Sequence, residues 1–182
     1  LLGEAPRLVA LYDSRFFWQV TTSEWAFLLC LLMGTFTLLL WARRRQDGLY
    51  LYFTGASWCW AVLTLYMFLS VLPMELRLWL GVVHTAATWC SYCLICFVSR
   101  LLGLRLTLLE RTLFGIGLAA SVVHFAVPND MFFIITYALH LPNIVAILAM
   151  GGYVLYLAVH DRNPTTLWVA AGFIGVGSLV AR

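Results

Sequence analysis

Lysine is absent from this chain: all eleven basic residues are arginine, and eight acidic residues leave a net charge of +3. Charge of either sign is scarce, at 10% of 182 residues against 63% hydrophobic, and the mean hydropathy is +0.93. A soluble domain of this size needs a far more charged surface. The composition therefore points to a membrane protein. The small net charge, with no stripe of arginine interleaved with aromatics, argues against a nucleic-acid partner. The N-terminus lacks a basic stretch ahead of an apolar run, so it does not read as a signal peptide. The chain is expected to have been cut before Leu1 and to stop short at Arg182. There is no HExxH, no Ser-His-Asp arrangement and no carboxylate pair within an apolar run. No catalytic residue and no cofactor is expected from these residues.

What the sequence does have is long apolar runs. They cover about Trp25–Trp41, Leu49–Leu72, Leu78–Val98, Thr112–Val127, Met131–Val159 and Leu167–Ala181. Most approach the ~20 residues that a helix needs to cross a bilayer. None alternates as a barrel strand does, and helices satisfy their own backbone groups in lipid. The expected fold is all-α: a polytopic transmembrane bundle over residues 24–182, preceded by a juxtamembrane segment over residues 1–23. Arginine sets the orientation. The connections after the first, third and fifth runs carry Arg43, Arg44, Arg45, Arg100, Arg105, Arg111 and Arg162; those after the second and fourth carry only Arg77. Positive connections stay cytoplasmic, which puts the N-terminal segment outside, with Phe16, Phe17 and Trp18 suited to the interface.

The stretch "WCSYCLICF" holds Cys90, Cys93 and Cys96 at three-residue spacing, which invites a metal reading. On a helix these positions spread over an arc of about 120°. A single helix cannot converge three thiolates on one ion. Free cysteine is small and apolar, so the three read as packing residues, and five cysteines cannot form a complete disulfide set. Likewise "GFIGVGS" follows no strand and has no lysine, so it reads as close helix packing and not as a phosphate loop. Ala171 with Gly175, and Gly117 with Ser121, form small-xxx-small pairs.

Ionisable groups within apolar runs often mark a site. His84, His124 and His140 all fall in the expected outer half of the membrane. His84 and His140 match in depth, and His124 reads as shallower. His160, beside Asp161 and Arg162, reads as interfacial. The fifth run places Pro142 in mid-helix, where it removes a backbone bond and predicts a kink near Ala138. Tyr137, His140 and Asn143 are expected on one broad side near it. His84, Tyr137, His140, Pro142 and Asn143 are therefore the candidate ligand-binding or switch residues. No metal site is assigned.

The stretches "LYDSRFFWQVTTSEWAF", "LLLWARRRQDGLYLYFTGASWCWAV" and "LWLGVVHTAATWCSYCLICFVSRLLGLRLTLLER" resemble the membrane domain of the bacterial seven-transmembrane receptors with diverse intracellular signalling modules. The likeness runs from about Leu8 to the end and rests on degenerate patterns: the arginine cluster, "LYLYF" and the Trp58/Trp60 pair. The resemblance implies a sensor in the bacterial inner membrane with its N-terminal segment outside. It implies an extracytoplasmic ligand or upstream sensory domain and a fused cytoplasmic module, a histidine kinase or diguanylate cyclase. The six helices counted here would be a truncated seven. The lipid bilayer is the expected surround, and a homodimer is among the expected assemblies. The competing reading is a haem- or metal-binding redox protein using the outer-half histidines.

The orientation has a direct test. In a background without native cysteines, an impermeant thiol reagent applied from outside should leave Arg105→Cys unlabelled and label Asp13→Cys. Labelling of position 105 from outside would contradict the assignment.

Overall fold

The computed structural model describes residues 16–45, 47–69, 73–104, 106–160 and 164–180; the side chains of Gln19 and residues 173–180 lie outside the description. So do most of the N-terminal segment (residues 1–15), Arg105, the Asp161–Arg162 pair and the chain end at Ala181–Arg182. Among the described residues the fold is all-α. A π-helical turn, Phe17–Thr21, leads into α1 (Thr22–Arg43). Then come α2 (Gly48–Phe68), α3 (Leu76–Leu101), α4 (Thr107–Ala126), α5 (Phe132–His160) and α6 (Pro164–Val180). The first five are long and apolar enough to cross a membrane. This is the helical bundle expected from the apolar runs.

Local chemistry sets the helix ends. The Asp47 carboxylate accepts from the Leu49 N–H at 3.1 Å and caps α2, using a donor the first turn leaves free. Gly103, at φ 70°, ends α3 in the left-handed conformation that costs glycine little. Its N–H reaches the Arg100 carbonyl at 3.1 Å, and the Leu104 N–H reaches that of Ser99 at 2.7 Å. This is a Schellman ending, which satisfies two otherwise free carbonyls. Pro128 follows α4, and Pro164 opens α6 where its missing N–H is not needed.

The helices pack in sequence, α1 on α2, α2 on α3 and α3 on α4, while α5 leans on both α3 and α4 and carries α6. The central element is α3, the most buried of the five spans. One apolar core joins α3 (Ile95, Val98), α4 (Leu113), α5 (Ala146, Met150, Val154, Ala158) and α6 (Ala170). Outward faces are apolar too: Leu32, Ile134, Leu148 and Val159 are each at least two-thirds exposed. A water-soluble protein does not present such continuous faces; a bilayer covers them.

Small residues allow close approach. Gly117 faces the Trp89 ring, and Ser121, one turn on, accepts from Trp89 Nε1–H at 2.9 Å. This is the small-xxx-small pair acting between α3 and α4. Cys90 Sγ lies 3.6 Å from the Ala56 carbonyl, and Cys93 fills the space beside Gly55 of α2. All five cysteines are free, and these two act as packing residues between α2 and α3. Between α1 and α2, Thr37 and Thr54 share a hydrogen bond of 2.9 Å beneath Gly34. A Cβ on Gly34 would stand 2.5 Å from Trp58 Cδ1.

Two glycines therefore predict opposite outcomes. Gly34→Ala should destabilise by roughly 1–3 kcal/mol, because it must displace an indole ring. Gly152→Ala, on an open face of α5 with nothing within 4 Å, should be neutral or stabilise by up to about 1 kcal/mol through helix propensity. Thermal unfolding in detergent reads both, and equal midpoints for the two variants would contradict the packing.

Candidate functional site

Each of the three interior histidines comes from a different helix. On α4 the buried residues Leu113, Gly117, Ala120 and His124 run along one stripe, at the three- and four-residue steps of a single helix face. On α5 the stripe is Phe132, Thr136, Asn143, Ala146 and Met150, and His140 lies between Thr136 and Asn143 on the same side. On α3, His84 is half-buried between the buried Val83 and Ala86. Gly81, one turn earlier, lets the Phe125 ring and the His124 carbonyl come close.

The stripes bring the rings together. His84 Nδ1 and His140 Nε2 share a hydrogen bond at 3.1 Å. One nitrogen donates and the other accepts, so at least one of the two rings is uncharged. The ring centres lie 5.3 Å apart for His84–His140 and 5.9 Å apart for both His84–His124 and His124–His140. His124 Nδ1 lies 3.2 Å from Thr85 Oγ1, while its Nε2 is buried and has no hydrogen-bond partner among the described residues. Thr136 Oγ1 and Asn143 Oδ1 are buried without partners as well. Asn143 Nδ2 donates to the Leu139 carbonyl at 3.3 Å. As they stand, no three His, Cys, Asp or Glu among the described residues are gathered for a metal ion. Nor does the direct His84–His140 bond leave a gap for a haem, which needs axial nitrogens about 4 Å apart with the macrocycle between them.

A ring and a cation cover the cluster. Phe132 lies edge-on to both His84 and His124, and the Arg77 guanidinium sits 3.9 Å above its centre. Arg77 also donates to the His124 carbonyl at 2.6 Å and the Val127 carbonyl at 2.7 Å. A cation at a helix C-terminus answers both its free carbonyls and its dipole.

Of the five candidate residues, the structure brings His84 and His140 into contact and buries Asn143 one turn from His140. Tyr137 is 73% exposed and points away from the bundle; three residues before His140, it falls outside the buried stripe. Pro142 is also exposed, within the continuous helix α5. His124 differs from expectation. Depth counted from the segment end placed it apart from the other two, yet it joins them because it faces inward and its neighbours are small. The sequence carried that signal in the spacing Leu113, Gly117, Ala120, His124. Thr85, Phe132 and Arg77 carried none before the helices were paired. No protein-family model, curated protein or solved structure matches this chain.

Arg77 is directly testable. Arg77→Met keeps the stem but removes both carbonyl contacts, and should cost about 2 kcal/mol of thermal stability. Arg77→Lys should recover only part, because one ammonium does not reproduce the planar fork. An unchanged midpoint for Arg77→Met would contradict the capping role.

Proposed function

We propose that this chain is the membrane-spanning part of a transmembrane sensor, relaying a signal from the extracytoplasmic side to a cytoplasmic output module, most simply a histidine kinase. Its place would be the bacterial inner membrane, with the N-terminal segment outside. One observation carries the reading: the helix that holds Pro142 in its interior is joined through His140 to His84 on the central helix. Intramembrane ionisable residues are costly and tend to be functional. Among the described helices, these join the one whose ladder an interior proline weakens to the most buried of the spans.

A receptor needs an element with two arrangements close in free energy, and a signal that binds them differently. Helix α5 fits that need. Its Met150–Ala158 half is anchored in the apolar core. The half before Pro142 is held by the His84–His140 hydrogen bond and by Phe132 against the histidine rings and Arg77, contacts that a signal can exchange more readily than close apolar packing. The resemblance to the seven-transmembrane receptors supports the same reading from the sequence side.

In the full-length protein, Pro142→Ala should restore the missing backbone bond and bias α5 toward one arrangement. A shift of about 1 kcal/mol changes the ratio of states roughly fivefold. Basal output should move by that order and the response should flatten, with expression near normal. His140→Ala should alter the response more than the folding. The measurement is output activity with and without stimulus; parental basal level and range in both variants would overturn the proposal.

A further inference from the structure

We infer that His84, His124 and His140 form a binding site for a divalent transition-metal ion of the zinc type. Three imidazoles from three helices is a ligand set that zinc uses with a fourth position open. Zinc–nitrogen bonds of 2.0–2.1 Å in a tetrahedron put ligand nitrogens about 3.3 Å apart and ring centres about 5 Å apart. His84 Nδ1 and His140 Nε2 are 3.1 Å apart, and the three ring centres are separated by 5.3, 5.9 and 5.9 Å. The three ring-centre separations are thus within about 1 Å of those in a coordinating arrangement.

The pattern of hydrogen bonds points the same way. A metal-bound histidine usually engages its other ring nitrogen with a neighbouring polar group, which fixes the tautomer. His124 does this: Nδ1 meets Thr85 Oγ1, while Nε2, on a side chain only 1% exposed, has no partner among the described residues. A buried nitrogen without a partner is costly in an apolar interior. Coordination resolves that cost for a lone pair, and no donor among the described residues does.

The rings now bond each other instead of surrounding a point, which is why no preformed site is present. Binding requires the donor ring of the His84–His140 pair to carry its hydrogen on its other nitrogen. That tautomer change frees two lone pairs and releases no net proton. The third ligand is His124 Nε2, and water completes the shell. Among the described residues no Asp or Glu is bonded to any of the three rings, and the nearby cation, Arg77, is directed to backbone carbonyls and the Phe132 ring. Neutral nitrogen ligands without a carboxylate suit zinc, copper or nickel over magnesium or calcium. The inference stands independently of the signalling proposal, because it is read by binding and not by output.

The test uses the purified chain in detergent, stripped with chelator and titrated with Zn²⁺ alone, then with Co²⁺ for its spectrum. One ion per chain is expected, with visible bands of tetrahedral nitrogen–oxygen coordination and no thiolate charge-transfer band. His84→Gln, His124→Gln and His140→Gln should each weaken binding at least a hundredfold. Thr85→Val should weaken it by about tenfold, as loss of an outer-shell partner does. Replacing Cys90, Cys93 and Cys96 together by Ser should leave it intact. No stoichiometric binding, a thiolate band, or affinity unchanged in the three histidine variants overturns the site. If the histidine variants do not fold, the wild-type cobalt spectrum decides between the same outcomes.

Discussion

A polar side chain inside a bilayer has no water to turn to, so it must find another polar group or leave a cost unmet. Most of the interior of this protein follows from that constraint. Thr37 meets Thr54, Trp89 meets Ser121, Thr85 meets His124 and His84 meets His140. Each pair ties two helices together, and three of the four involve α3. Such contacts average only about 0.6 kcal/mol each in membranes. They set which faces meet more than they supply the bulk of the stability. Gly34, Gly55, Gly81 and Gly117 let neighbouring side chains approach the backbone closely.

The bundle is consequently uneven along its length. One half is an apolar core of Ile95, Leu113, Met150 and Val154. The other half holds His84, His124 and His140 and most of the buried polar atoms that lack a partner among the described residues. Apolar cores interdigitate and resist rearrangement. Polar clusters with unmet groups have more than one way to satisfy them. A signalling element and a metal site draw on the same property, an interior point where binding changes which contacts are best.

The helices were legible because the apolar runs are long and the connections carry the charges. Their ends were off by a few residues, because caps such as Asp47 and the Gly103 ending follow hydrogen-bond geometry and not hydropathy. The packing role of Cys90 and Cys93 was readable from burial tendency alone. The site was only partly legible. Hydropathy fixes how far along a helix a residue lies, and this matched His84 with His140. It says little about which way a side chain points, so it groups Tyr137 with residues from which the structure turns it away and separates His124 from partners it reaches. Facing direction lay in the spacing of small residues on α4 and of Phe132, Thr136, His140 and Asn143 on α5. Arg77 over Phe132 depends on the first turns of α3 and α5 meeting in space, which no local pattern records.

The central claim is that the histidines of α3 and α5 share one hydrogen bond within a three-ring cluster. Nuclear magnetic resonance of chelator-treated protein labelled with ¹⁵N-histidine measures this directly, through the nitrogen–nitrogen coupling carried across an N–H···N bond. The account predicts a single coupled Nδ1–Nε2 pair that His84→Gln and His140→Gln each abolish and Tyr137→Phe leaves in place. Uncoupled, independently behaving rings at His84 and His140 would contradict it.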